Sequence, residues 1–267
     1  MMGMPLAIER RRAGPALAVG MAAILGASGA RPAAAQPPPN FIRELRYTCY
    51  PDKTQDLIAY FARLADADIK INSGRMRWMD GAPYGHFVIA GIPAYHLAEY
   101  DSRVGSGTVF SKAFGEEEYR KYAQGYSNAQ MRTHSVIRRY RDDLSRNRAK
   151  HLRATTRVSR YTYVTVKPGK GALFEQATQK AVAALGQVAP GAVLSAAQTM
   201  AGGGPQYLLV EPFASYEDLG KAVDLAAAVE KAFGKAEAAA WRARLAEAVE
   251  NTEVVLMQKV AKDSFVP

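Results

Sequence analysis

The chain of 267 residues carries four histidines, His86, His96, His134 and His151, and a single cysteine, Cys49. These are the side chains best suited to ligate a metal or to move a proton near neutral pH. His86 follows Gly85 at the start of one predicted strand and His134 opens another, so both are placed to approach one sheet face. No spacing supplies a second ligand or a carboxylate partner to either, and a hydrogen-bonded strand-end histidine is the competing reading. His96 falls in a predicted helix and His151 in a polar stretch, which are surface positions. A reactive Cys49 thiolate needs a cation beside it, such as His86 or Arg46; without one it is a small buried residue.

Arg75, Arg77 and Trp78 lie close in sequence and offer cations and an aromatic ring to a carboxylate or phosphate. Strand alternation splits them, with both arginines on one face and Trp78 on the other, which favours a solvated face with a buried Trp over a ligand cluster. Tyr47, Tyr50, Tyr161 and Tyr163 sit near the first strand of each half and line the space between sheet and helices, as ligand contacts or as core rings. Tyr161 and Tyr163 share a strand face, whereas Tyr47 and Tyr50 do not. Gly202, Gly203 and Gly204 lack the following Lys-Ser/Thr of a phosphate loop and join two strands, so they read as a hairpin.

Thirty-five Lys and Arg against 25 Asp and Glu leave a formal charge of +10, and 48% hydrophobic residues suffice for a sizeable core. One cysteine excludes an intramolecular disulfide framework and a multi-cysteine zinc site. No helix-turn-helix, zinc-finger or RNA-recognition signature accompanies the basic balance, so nucleic acid is not an expected partner.

Arg10, Arg11 and Arg12 precede an uncharged Ala/Gly-rich run from Ala13 to Ala30, and Ala33, Ala34 and Ala35 supply a small-x-small site before Gln36. That order reads as a signal peptide with cleavage between Ala35 and Gln36, and Sec export is favoured over the twin-arginine route because Glu9 replaces the usual hydroxyl residue. Cleavage leaves 232 residues at about +7, a periplasmic or secreted protein with no transmembrane anchor.

The elements that must position these residues come as a duplication. Lys112-Ala113-Phe114-Gly115 recurs as Lys231-Ala232-Phe233-Gly234; Gly81 to Ile89 faces Ala201 to Leu209; Tyr50-Pro51-Asp52-Lys53 faces Lys167-Pro168-Gly169-Lys170. Each copy reads β-α-β-β-α-β. In the second, Arg160 to Val166 is a strand, Phe174, Ala177, Ala181 and Leu185 mark one helix face, and Val193 to Met200 with Gln206 to Val210 form a hairpin. Ser215 with Asp218 caps a helical region that Gly234 interrupts, and Glu253 to Val260 closes the unit. The first copy has strands at Leu45 to Tyr50, Ile69 to Met79, His86 to Ala90 and Ser135 to Tyr140, with helices in the first and third gaps.

The order of KPGK, a long helix, GGGPQYLLVEPFASYEDL and a closing strand resembles the dimeric α+β barrel superfamily, across residues 42–267. Within it the chain is similar to exported bacterial proteins related to the NIPSNAP and antibiotic-biosynthesis-monooxygenase branches. The resemblance implies an α+β fold of two tandem ferredoxin-like repeats with antiparallel sheets, paired as a barrel within the chain or between two copies in a homodimer. The expected organisation is a signal peptide (1–35), a Pro-rich lead-in (36–41), a first repeat (42–140), a basic linker (141–155) and a second repeat (156–267). Arg141 to Thr155 is expected to be solvated.

Superfamily relatives also include haem enzymes with a histidine ligand in one repeat. No histidine falls within the second repeat, where some double-repeat haem enzymes place theirs, so no cofactor is expected and haem is the alternative. The leading expectation is a non-catalytic or small-ligand-binding protein taking an apolar or anionic ligand. The alternative is a haem-handling or monooxygenase-like enzyme with its site in the first repeat, using His86, His134, Arg75 and Trp78.

Overall fold

A computed structural model describes residues 38–71, 73, 78–81, 87–102, 105–150 and 155–259. The first repeat runs β1 (Phe41–Cys49), α1 (Thr54–Lys70), β2 (Trp78–Gly81), β3 (Phe87–Ala94), α2 (Glu99–Ser102), α3 (Ser106–Phe114), α4 (Glu116–Ala129) and β4 (Gln130–Tyr140). The second runs β5 (Val158–Val166), α5 (Gly171–Val188), β6 (Ser195–Ala201), β7 (Tyr207–Phe213), α6 (Tyr216–Gly220), α7 (Leu225–Phe233), α8 (Lys235–Ala248) and β8 (Val249–Lys259). The eight strands close into one antiparallel barrel in the order β1-β3-β2-β8-β5-β7-β6-β4. The two ferredoxin-like sheets thus satisfy each other's edges inside a single chain.

Two seams join the repeats. β4 pairs with β6 from Ile137↔Ala201 to Tyr140↔Ala197, and among the described residues β2 pairs with β8 at Asp80↔Lys259 and Gly81↔Gln258.

The duplicated Lys-Ala-Phe-Gly motif has a structural meaning. Gly115 and Gly234 both adopt positive φ, +93° and +90°, where a side chain is strained, and each breaks one long helical region into two. Asp224 caps α7 by accepting from the Ala227 amide at 2.9 Å, and Ser215 caps α6 by accepting from the Asp218 amide at 3.0 Å.

Three layers of side chains fill the molecule. Between sheet and helices of the first repeat lies an aromatic core of Tyr47, Phe61, Phe110 and Tyr122, with the rings of Phe110 and Tyr122 stacked at 4.1 Å. The matching layer of the second repeat is alanine-rich, with Phe174, Leu185 and Trp241 as its bulk, and the Trp241 indole donates to the Ala177 carbonyl at 2.8 Å. The barrel lumen holds the third: Ile42, Ile89, Tyr161, Tyr163, Leu208, Val210 and Met257. Each large apolar side chain so enclosed contributes about 1.5–3 kcal/mol.

Three details differ from expectation. Ile69 does not begin a strand: α1 continues through it to Lys70, because Leu57, Phe61, Leu64 and Asp68 keep a helical stripe buried, and Ile69 points to solvent. β4 and β8 begin earlier than their apolar cores suggest, each following directly on the preceding helix. The described part of the segment expected to be a solvated linker is packed in places. Arg141 ion-pairs with Asp143 at 2.7 Å and Glu175 at 2.6 Å, and buried Arg148 pairs with Asp142 at 2.6 Å, donates to the Pro39 carbonyl and covers the Tyr140 ring. The Arg141 and Arg148 charges are thus answered locally.

Candidate functional site

Strand register determines which side chains enter the lumen. Residues directly opposite on neighbouring strands share a face, and β1 aligns Ile42 with Arg138, Glu44 with Val136 and Arg46 with His134 of β4. Tyr47 and Cys49 alternate to the other face and join the helix-side core. On β5, Tyr161 and Tyr163 face the lumen with Val210 and Leu208 of β7. The polar residues of this interior are therefore contributed by both repeats.

Its centre is a buried ion pair. Arg138, 1% exposed, donates from Nε to Glu44 Oε2 at 3.2 Å; its Nη1 donates to Thr199 Oγ1 at 2.5 Å and to the Pro205 carbonyl at 3.0 Å. Tyr163 donates to the other Glu44 oxygen at 3.1 Å. Four strands, β1, β4, β5 and β6, thus meet in one hydrogen-bonded set. Beside the β2–β8 seam, the Tyr161 hydroxyl donates to Asp80 Oδ2 at 2.5 Å. Burial pushes the Asp80 carboxyl up to about 6 despite the Tyr161 hydrogen bond and the Lys259 charge, which pull the other way. Burial, reinforced by Asp80, holds the Tyr161 hydroxyl protonated well above its ordinary range.

Polar groups reach water at one end of the lumen. Arg46 extends along the mouth, its guanidinium 4.3 Å over the Phe87 ring and 5.9 Å from the Tyr163 ring. Its Nη2 donates to Glu253 Oε1 at 3.0 Å and its Nη1 to Oε2 at 3.4 Å, joining β1 of one repeat to β8 of the other. The two side chains are 32% and 44% exposed. His134, beside Arg46, lies with Nε2 3.1 Å from the Gly202 carbonyl. A carbonyl only accepts, so Nε2 carries the hydrogen and Nδ1 of the neutral ring is left as an acceptor. The Gly202 hairpin can lie this close only without a side chain: at φ +99° a Cβ would stand 2.2 Å from the Ser135 carbonyl oxygen.

The sequence candidates divide accordingly. His134, Tyr161 and Tyr163 come together at the lumen and its mouth. Tyr47 is a core ring, 4.9 Å from Phe61, and takes no part in the lumen. Tyr161 and Tyr163 face the barrel interior, away from the sheet–helix space where they were expected, because closure turns the second sheet face inward. Cys49 is buried, and burial pushes its thiol up, away from reactivity. His86, Arg75, Ala35 and Gln36 lie outside the described residues, as does the side chain of Trp78. Glu44, Arg46, Asp80, Arg138 and Glu253 are site residues that the sequence reading missed. Among the described residues no three His, Cys, Asp or Glu side chains cluster to hold a metal, and no helix is long and apolar enough to cross a membrane.

No protein-family model matches the chain, and no curated protein matches it. Solved structures do. A presumed monooxygenase from Lactobacillus acidophilus is similar with a TM-score of 0.52 at 12% identity, over 82% of this chain and 94% of that one. A second presumed monooxygenase, from Fusobacterium nucleatum, is similar with a TM-score of 0.54 at 9% identity, over 84% and 94%. The fold is that of the dimeric α+β barrel proteins. At these identities the likeness of this α+β barrel to its neighbours is one of architecture, and what its site does must be argued from its own residues.

Proposed function

We propose that this protein is an exported, small-ligand-binding α+β barrel without catalytic chemistry of its own, and that it receives its ligand at the mouth formed by Arg46, Phe87, His134 and Glu253. The observation that carries this reading is where partly exposed polar groups of the two repeats converge. Both sheet–helix layers and the lumen hold clusters of the chain's own buried side chains, while the mouth gathers titratable groups of both repeats at partial exposure. A few convergent polar groups beside an aromatic ring suit a small ligand. Export rests on the Arg10–Arg12, Ala13–Ala30 and Ala33–Ala35 pattern. Kinship with the NIPSNAP and antibiotic-biosynthesis-monooxygenase branches rests on the sequence resemblance and the shared fold.

The haem-handling alternative needs a flat chamber beside a histidine. The described residues do not fit that group. In the first repeat the sheet–helix layer is occupied by Tyr47, Phe61, Phe110 and Tyr122, and His134 stands at the mouth of the lumen, bound to Gly202.

A ligand-observed NMR screen of small organic acids, amines and neutral aromatics tests the reading on protein recovered from the periplasm. At least one class is expected to bind saturably to the wild type and to lose binding in the Arg46→Gln/His134→Ala double variant. Binding that survives the double variant, or no binding by any class, contradicts it.

A further inference from the structure

The mouth presents an arginine whose present partner is easily exchanged. Phe87 covers one face of the Arg46 guanidinium at 4.3 Å, which removes part of its hydration and leaves the N–H edge as the direction in which its charge is answered. Glu253 answers it from the other repeat, with one good contact at 3.0 Å and one long contact at 3.4 Å. Both side chains are partly exposed, and pairs of this kind hold together weakly because water and salt compete for each partner. Glu253 is therefore an internal carboxylate parked on a site that another carboxylate can take.

The surroundings narrow what that carboxylate belongs to. Phe87 and the nearby Tyr163 ring provide an apolar wall for a compact body attached to the acid group. His134, opposite Arg46 in the register, offers Nδ1 to a hydroxyl or, as the imidazolium, donates to the second carboxylate oxygen. Deeper in, Glu44 is held between Arg138 and Tyr163, so a negative side chain and a filled core bar an anion from going further. One acid group, an apolar body and a shallow seat describe the ligand.

Resting on the ligand-binding reading above, we infer that the mouth takes a small organic monocarboxylate, whose carboxylate displaces Glu253 from Arg46 while its apolar body lies against Phe87. Glu253 then acts as a built-in competitor that sets the affinity.

Calorimetric titration of benzoate at low ionic strength tests this on the wild type and on Glu253→Gln and Arg46→Gln, with thermal melts verifying that each variant is folded. Acetate, inorganic phosphate and benzylamine serve as comparison probes. The wild type is expected to bind benzoate at one site and more tightly than acetate or phosphate. Glu253→Gln should bind benzoate about three- to tenfold more tightly, since it removes both the competitor and a like charge, and Arg46→Gln should weaken binding at least about tenfold. Unchanged or weaker benzoate binding in Glu253→Gln, or retention in Arg46→Gln, overturns the inference. Benzylamine binding that depends on Glu253, with benzoate silent, overturns the carboxylate class while leaving the mouth as a ligand site. Silence of every probe and every class in the screen overturns both readings.

Discussion

Replacing Arg138 by methionine is expected to be the most damaging single change in the barrel, costing about 3–5 kcal/mol and lowering the melting temperature by roughly 10 °C. The loss does not measure the strength of the Arg138–Glu44 attraction. Taking two charges out of water costs about as much as their mutual attraction returns, so the intact pair contributes little net stability. Removing only the cation leaves the Glu44 carboxylate, 3% exposed, in the lumen with the Tyr163 hydroxyl as its remaining hydrogen-bond donor. Thr199 Oγ1 loses the donor it accepts from, and the Pro205 carbonyl keeps only the Thr199 hydroxyl. The double variant Glu44→Gln/Arg138→Met should recover most of the loss, because it removes the stranded charge. Chemical denaturation of the three proteins measures both quantities; a single variant as stable as the wild type would show that the pair is not desolvated as described.

The second large effect concerns pH. Asp80 titrates at about 6 in the fold against 3.8 for a free side chain, because burial penalises its ionised form. A carboxyl whose folded value is raised favours folding while it is protonated. That contribution is fully present below about pH 4 and is lost as pH rises through about 6. The wild type should therefore lose on the order of 2 kcal/mol relative to Asp80→Asn between pH 4 and pH 7. Asparagine keeps an oxygen to accept from Tyr161 while removing the titration. Carboxylates with lowered values, such as Glu175 and Asp143 beside Arg141, act in the opposite sense at more acidic pH. The difference between wild type and variant, measured by denaturant titration across this range, isolates Asp80; parallel curves would mean that its carboxylate is solvated. Asp80 lies on the seam between β2 and β8, opposite Lys259, so hydrogen exchange should show that seam opening more readily at neutral than at acidic pH.

Why the fold was easier to read than the site follows from barrel closure. The repeats announced themselves through paired punctuation: Pro168-Gly169 before α5, Ser215 before α6, Gly115 and Gly234 inside the helical regions. Each imposes a backbone conformation that local chemistry alone predicts. The lumen gave no comparable signal. Ile42, Glu44 and Arg46 alternate with Leu45, Tyr47 and Cys49, and in an open half-buried sheet a charged alternate face belongs in water. Closure buries that face too, turning Glu44 and Arg138 into interior residues whose pairing joins segments 94 positions apart. A hint was available in the mixed character of that face, where Ile42 and Glu44 share one side. Tyr161 and Tyr163 were correctly placed on one strand face, yet only the topology decides that this face is the lumen. His134 was singled out by residue type, whereas its cross-strand neighbour Arg46 meets Glu253, 207 positions away, only through the closed sheet.

A barrel whose lumen holds its own buried side chains, with the proposed ligand site at its mouth, is tested most directly by titrating the purified protein with hemin and following the visible spectrum. The wild type, His86→Ala and His134→Ala should give the same unsaturating changes, as expected for surface adsorption. A saturable shift at one hemin per chain, lost in either histidine variant, would contradict the occupied lumen and make a haem enzyme the better reading.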